Sequence, residues 1–224
     1  MFLKSVRCQL QNTRPGFAGV MLIGLMVLIM MIFCTDFLYR KNLVEINYEY
    51  VDDSLTSALL AAAVINLKEY GRGGSVIIQE GESADSSDAF FANSERIFSE
   101  CLKFNLKLDE SDNFENRDGF DGGIIVSEYR VYNYILTNDG FRIVMFRKVG
   151  DNIFVTEYAE NEPVMVSTTD GVHEIDATSI YADIEFTIIT PEKSWKAFGF
   201  AANEDDKIKC HLRRLISVTE AEEL

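Results

Sequence analysis

The residues that could do chemistry in this chain are few, and they do not converge on a catalytic pattern. The two histidines, His173 and His211, stand at no metal-ligand spacing from a cysteine or a set of carboxylates. The chain contains neither a Gly-x-Ser-x-Gly elbow nor a glycine-rich phosphate loop. We therefore expect no enzyme, no cofactor and no histidine metal site.

Residues 109–123 are acidic and dotted with glycine, which is typical of a surface loop. Calcium takes several oxygen ligands, and six carboxylates could supply them: Asp109, Glu110, Asp112, Glu115, Asp118 and Asp121. Their spacing lacks the glycine that a calcium-binding loop carries at its sixth position. We expect a solvated loop, with a calcium site as the alternative.

An apolar run near the amino terminus accounts for the longest element of the chain. No charge occurs from Ala18 to Cys34, and residues 17–39 reach the roughly 20 residues that a bilayer requires. The alternative is a cleaved secretory signal, but no small-residue cleavage site follows the run. The sequence therefore predicts a single transmembrane segment at residues 17–39.

Charge indicates both the orientation and the partners of the chain. Basic residues are slightly more numerous before the span than after it, which favours a cytoplasmic amino terminus and an extracytoplasmic carboxyl-terminal domain. Residues 1–41 carry a net charge of +4, so the formal charge of −15 leaves −19 for residues 42–224. A domain this acidic repels nucleic acid, which excludes nucleic-acid binding.

The four cysteines fall in three environments on this topology. Cys8 lies in the leader and Cys34 in the membrane, which leaves Cys101 and Cys210 outside. Both fall on predicted core-facing positions, so they could form a disulfide or remain two packed thiols.

The apolar run continues into a helix with one apolar face. Residues 25–70 contain neither glycine nor proline, and an apolar stripe follows at steps of three and four residues: Val44, Tyr48, Val51, Leu55, Leu59 and Ala62. We expect one helix to Tyr70, stopped by Gly71, Gly73 and Gly74. The domain boundaries that follow are a leader at 1–16, the span at 17–39, an amphipathic continuation at 40–71 and an extracytoplasmic domain at 72–224.

The predicted domain combines a second helix with an antiparallel sheet. A short β-rich piece is expected at 75–78, then a helix capped by Ser86, Ser87 or Asp88 and running to Lys103. Strands at 124–136, 141–148 and 153–158, joined by tight turns, form a meander. Two more strands are expected at 180–188 and 207–213, and each shows one solvent-exposed, or wet, face. In the first strand this face contains Tyr181, Asp183, Glu185 and Thr187. The fold class is α+β.

A long amino-terminal helix laid on an antiparallel sheet, with a second helix between, is similar to a type IV pilin. The junction of the basic leader with the apolar run, at Gly16 and Phe17, resembles the site at which a prepilin peptidase cuts. Within that superfamily, residues 50–63 and 101–109 resemble minor pilins or pseudopilins of tight-adherence (Flp) systems of Gram-positive bacteria. The resemblance implies a mature chain that begins at Phe17. It also implies three kinds of partner besides the lipid bilayer: other pilin-like subunits bound through the helix, the prepilin peptidase and a membrane assembly platform.

One residue departs from the family pattern. Type IV pilins generally carry a glutamate as the fifth residue of the mature chain, and here that position is Met21. A carboxylate in lipid needs a partner, so its absence removes a registration contact between subunits. The resemblance then implies a subunit at a special place, such as the tip, or one outside a fibre.

Two further classes remain beside a non-enzymatic pilus or secretion subunit. A membrane-anchored sensor or ligand-binding protein would share the span and the sheet, but only about sixteen residues precede the span for a cytoplasmic output. An anchored envelope enzyme would need the catalytic pattern that is missing. Trp195, Phe198 and Phe200 are either an adhesive patch or part of the core.

Overall fold

The structure is a computed structural model that describes residues 15–63, 87–115, 119–149, 152–189 and 207–218. Within these ranges, the side chains of residues 15–18, 87–90 and 149 lie outside the description. The chain divides into two compact units, residues 1–45 and 46–224, and we call the second unit the head. A long helix, a second helix and a five-stranded antiparallel sheet confirm the predicted α+β class.

The long helix, α1, spans Pro15–Ala62. Proline suits the first turn, because the missing N–H has no intrahelical partner there and the fixed φ is already helical. In the head, the predicted apolar stripe is confirmed by Val51, Leu55 and Leu59, which are fully buried.

The end of α1 differs from the prediction. The helix ends at Ala62 rather than Tyr70, and the N–H of Ala63 donates to the Leu60 carbonyl at 3.2 Å, which closes the last turn. The predicted continuation to Tyr70, the three glycines after it and the β-rich piece at 75–78 lie outside the described residues. The boundary between the two units, after Glu45, falls inside the predicted amphipathic continuation, so the carboxyl-terminal part of α1 belongs to the head.

The second helix, α2, spans Ser87–Leu106. It begins at one of the predicted cap residues and ends three residues beyond the predicted Lys103. Its buried face consists of Phe91, Phe98, Leu102 and Leu106. The helix stops where Lys107 takes a left-handed φ of 54°.

The sheet has the strand order β3-β2-β1-β6-β7, and every neighbouring pair is antiparallel. Its strands are β1 (Ile125–Thr137), β2 (Gly140–Val149), β3 (Asn152–Glu157), β6 (Ser179–Ile189) and β7 (Lys207–Ser217). The predicted meander is confirmed as β1, β2 and β3. At its first turn Gly140 has a φ of 151°, and a Cβ there would lie 1.9 Å from the Asn161 side chain, so only glycine fits.

Both helices pack on one face of the sheet. The Tyr48 ring of α1 lies 6.0 Å from the Phe186 ring of β6, and Phe98 of α2 stacks on Tyr129 of β1 at 4.9 Å. Because side chains alternate along a strand, the inward residues of β6 also face the helices: Ile180, Ala182, Ile184 and Ile188, all fully buried.

The opposite face carries a second core that the sequence did not predict. A hairpin of β4 (Met165–Thr168) and β5 (Gly171–Glu174) belongs to the segment that covers this face. The buried cluster consists of Tyr132, Ile143, Met145, Val164, Val166, Ile175 and Tyr181. The dipeptide Asp170-Gly171 in the hairpin turn is the local signal that could have revealed it.

Because of this second core, the prediction of a wet face on β6 is wrong for the first part of the strand. Tyr181 and Asp183 are 4 % and 7 % exposed, because the sheet is covered on both sides at this level. Glu185 is exposed and Thr187 is half-buried, so the prediction holds better for the carboxyl-terminal part of the strand. In β7, Leu212 is buried, whereas Ile208, on the same face of the strand, remains 41 % exposed.

Candidate membrane anchor and assembly surface

The amino-terminal part of α1 presents apolar side chains on all sides. Large apolar residues from Val20 to Tyr39 have 42–68 % of their surface exposed. Among the described residues, this is one helix long and apolar enough to cross a membrane, with a mean hydropathy of 2.5 in its best window and none of that window buried. An apolar surface of this extent is unfavourable in water, so the segment is compatible with a membrane anchor.

The predicted processing site lies at the start of the same helix. Gly16 and Phe17 fall in the first turn of α1, which begins at Pro15. Cleavage between them stays a prediction. Met21, at the fifth position counted from Phe17, is 65 % exposed.

Two glycines leave room on the surface of the anchor. A Cβ built on Gly19 or on Gly24 would meet nothing within 4 Å. Small residues of this kind allow another helix backbone to approach closely in lipid.

The carboxyl-terminal end of α1 is held by a buried hydrogen-bonded junction. Ser94 Oγ of α2 donates to the carbonyl oxygen of Ala62 at 2.8 Å and lies 2.7 Å from the hydroxyl of Tyr129 on β1. Burial raises the pKa of Tyr129 above its ordinary value. Because the hydroxyl proton of Ser94 is directed to Ala62, the Tyr129 hydroxyl is the donor in its bond with Ser94. One serine thus ties the end of α1 to α2 and to the sheet.

Further contacts fix α1 along its length in the head. The Tyr50 hydroxyl donates to the carbonyl of Asn105 at the end of α2. The Arg214 guanidinium on β7 forms ion pairs with Asp52 of α1 and with Asp170 in the turn between β4 and β5. These contacts join α1, the edge strand and the hairpin that covers the other face.

Thr169 extends this attachment along the edge of the sheet. Its N–H donates to the Arg213 carbonyl at 3.1 Å, and its hydroxyl accepts from the Arg213 N–H at 2.8 Å. The hairpin turn therefore covers part of the β7 edge, which would otherwise be open to another strand.

The residues of this junction were missed in the sequence because they are distant in the chain. Ser94 stands 32 residues from Ala62 and 35 from Tyr129, and Arg214 stands 162 residues from Asp52. No local pattern marks any of them.

The predicted cysteine pair is not bonded in the structure. Cys101 and Cys210 are both free and half-buried. Burial raises the pKa of the Cys210 thiol, which keeps it protonated and unreactive. Of the two readings that the sequence left open, the structure shows two packed thiols.

Several carboxylates of the acidic loop form contacts within the head. Asp109 accepts hydrogen bonds from the N–H groups of Asn113 and Ser111 at 2.9 and 2.8 Å. Asp112 pairs with Lys103 at 2.8 Å, and Asp121 pairs with Lys207. Within the part of the chain that is described, no group of three or more His, Cys, Asp or Glu side chains could hold a metal ion. Glu110 and Glu115 belong to that part, whereas Asp118 is outside it.

His211 has a carboxylate neighbour that its sequence position did not indicate. Its Nε2 contacts the buried carboxylate of Asp183, which also accepts from Arg213 Nε at 3.1 Å. His173 is exposed on the hairpin. The aromatic residues Trp195, Phe198 and Phe200 lie outside the described residues.

No family model, curated protein or solved structure matches this chain.

Proposed function

We propose that this chain is a non-enzymatic structural subunit of the pilin type. In this proposal it is a minor pilin or pseudopilin of a type IV or tight-adherence pilus or secretion assembly. The chain is anchored in the cell membrane before assembly, with a cytoplasmic amino terminus and an extracytoplasmic head. Its partners are other pilin-like subunits, a prepilin peptidase, a membrane assembly platform and the lipid bilayer.

One observation carries the proposal. A single helix, Pro15–Ala62, is apolar and exposed between Val20 and Tyr39, and buried in the head at Val51, Leu55 and Leu59. A helix that serves only as an anchor has no need to form the core of the domain that follows it. A helix that serves both purposes suits a subunit whose head must move together with its membrane segment.

The attachments of α1 in the head support a mechanical role. The Ser94 junction, the Tyr50 hydrogen bond and the Arg214 ion pairs hold the carboxyl-terminal part of α1 at its end and along its length. Transfer of the apolar segment from lipid into a bundle of similar helices would preserve the burial of its surface. The same contacts would keep the head attached during that transfer.

Met21 limits the kind of subunit that we propose. A methionine cannot make the charged contact by which a carboxylate in lipid would find a partner. We therefore propose a minor or terminal position in an assembly rather than the repeating subunit of a fibre.

Mass spectrometry of the membrane-extracted chain, with and without a co-expressed prepilin peptidase, tests the proposal. We expect Phe17 to become the first residue only when the peptidase is present. Gly16→Leu should block the cut because a bulky residue replaces the small one before the scissile bond. Gly19→Ala is the matched control, since it lies past the bond and has free space around it, and it should be processed normally.

Recovery of an intact Met1 in the presence of an active peptidase would contradict the proposal. That result would favour the second class, a single-pass membrane-anchored sensor or ligand-binding protein. Normal processing of the Gly16→Leu variant would contradict the proposed cut site.

A further inference from the structure

Two arginines lie side by side on the face of the sheet opposite the helices. Arg130 of β1 and Arg147 of β2 are direct cross-strand partners. The residues continue as a row across all five strands, in the order Phe154, Arg147, Arg130, Tyr181 and Leu215. Like charges directly opposite each other on a sheet are unfavourable, so this pair calls for a balancing negative group.

An aromatic ring supports each guanidinium. The Cζ atom of Arg130 lies 5.3 Å from the centre of the Tyr181 ring, and that of Arg147 lies 5.9 Å from the centre of the Phe154 ring. Such stacking fixes the plane of a guanidinium and leaves its N–H edge free to bind.

The hydrogen bonds of the two arginines are incomplete. Arg130 pairs with Glu128 at 2.5 Å and donates to the Tyr132 hydroxyl at 3.0 Å. Among the described residues Arg147 has no ion-pair partner, and the Nε atoms of both arginines are buried there without a hydrogen-bond partner. Buried donors without a partner are rare in proteins and often mark a missing water or ligand.

The two carboxylates next to the row on β1 and β6 contact cations other than Arg147. Glu128 is occupied by Arg130, and Asp183, on the same face, is occupied by Arg213 and His211. Arg147 is left with its full set of donors in a head that is strongly acidic elsewhere. At the β3 end of the row the Phe154 ring is 46 % exposed, so an accessible apolar group lies next to Arg147.

We propose that Arg147 and Arg130 form a binding site for an oxyanion group, a carboxylate or a phosphate, on the sheet face opposite the helices. The planar guanidinium donors match both groups in geometry. The exposed Phe154 ring beside Arg147 suits a ligand that carries the anionic group on a less polar body. The site is independent of the proposed role in assembly.

The test is a titration of the ¹⁵N-labelled full chain in detergent micelles, with the arginine Nε–H resonances as the readout. Inorganic phosphate and acetate are the two probes, with chloride at equal ionic strength as the reference. We expect the Arg147 and Arg130 resonances to shift saturably with phosphate, acetate or both. The probe that saturates at the lower concentration identifies the preferred oxyanion.

Variants on β2 and β3 separate the site from a general charge effect. Arg147→Gln should weaken binding, read from the Arg130 resonance, by about tenfold or more. Phe154→Leu keeps both charges and removes the supporting ring, and should weaken binding about two- to fivefold. Arg142→Gln is the matched control. Arg142 lies on β2 outside the row, and its charged partner among the described residues is Glu157 at 3.7 Å, so this variant should leave affinity unchanged.

Three results would overturn the site. The first is the absence of saturable shifts with either probe. The second is an equal response to chloride, which would indicate screening alone. The third is an unchanged affinity in a folded Arg147→Gln variant, whose fold is checked by the backbone amide spectrum. None of these results depends on whether the chain is processed at Gly16.

Discussion

Replacing Ser94 by alanine should destabilise the head more than replacing Tyr129 by phenylalanine. Ser94→Ala leaves two buried groups without a partner, the Ala62 carbonyl and the Tyr129 hydroxyl. Each such group costs about 1–3 kcal/mol, so we expect a loss of about 2–6 kcal/mol in the free energy of unfolding. Tyr129→Phe leaves the bond from Ser94 to Ala62 in place and should cost about 1 kcal/mol.

The double variant distinguishes a hydrogen-bonded junction from simple packing. When Ser94 is already alanine, Tyr129→Phe removes a hydroxyl that has lost its partner, while the ring keeps its contacts with Phe91 and Phe98. The double variant should therefore be at least as stable as the Ser94→Ala variant alone. The coupling between the two substitutions should be about 1 kcal/mol or more.

The assay is urea unfolding of the full chain in detergent micelles, followed by near-ultraviolet circular dichroism. This signal reports on packed aromatic side chains, most of which belong to the head, rather than on the apolar helix in the micelle. Ser57→Ala, at an exposed position on α1, is the control and should change stability by no more than about 0.5 kcal/mol. Strictly additive effects of the Ser94 and Tyr129 substitutions would refute the reasoning.

Two further predictions concern charge. Arg214→Gln removes the partner of Asp52 and Asp170 and should cost about 1–2 kcal/mol in the same urea assay, between the values for exposed and buried pairs; no change would show that these ion pairs do not hold α1. The hydrogen bond from the N–H of Asn113 is the main cause that lowers the pKa of Asp109 in the folded chain. The ionised Asp109 carboxylate therefore stabilises the fold above about pH 4, and this stabilisation is lost as the pH falls further. The thermal midpoint of Asp109→Asn should therefore depend less on pH in the acid range than that of the unaltered chain, and identical pH profiles would contradict this.

Elements defined by local patterns could be predicted from the sequence. The apolar run, its continuation as α1 and the stripe through Val51, Leu55 and Leu59 follow from helical spacing within a few turns. The meander of β1, β2 and β3 follows from alternation between short turns. Such patterns are readable because the residues that determine them lie close together in the chain.

Features that depend on distant segments were decided only by the tertiary structure. Tyr181 and Asp183 alternate like residues of a wet face, yet they are buried because the segment with the β4–β5 hairpin folds over the sheet. Similarly, α1 ends at Ala62, where a serine hydroxyl from α2 donates to the last carbonyl of the helix.

The sequence by itself thus determined the apolar helix, the acidic charge of the head and the α+β class, because each depends on composition or on short-range periodicity. Tertiary structure alone decided which polar residues meet. Arg147 lies beside Arg130 only because β1 and β2 pair in one register, and a shift of that register by one residue would turn one of the arginines to the opposite face.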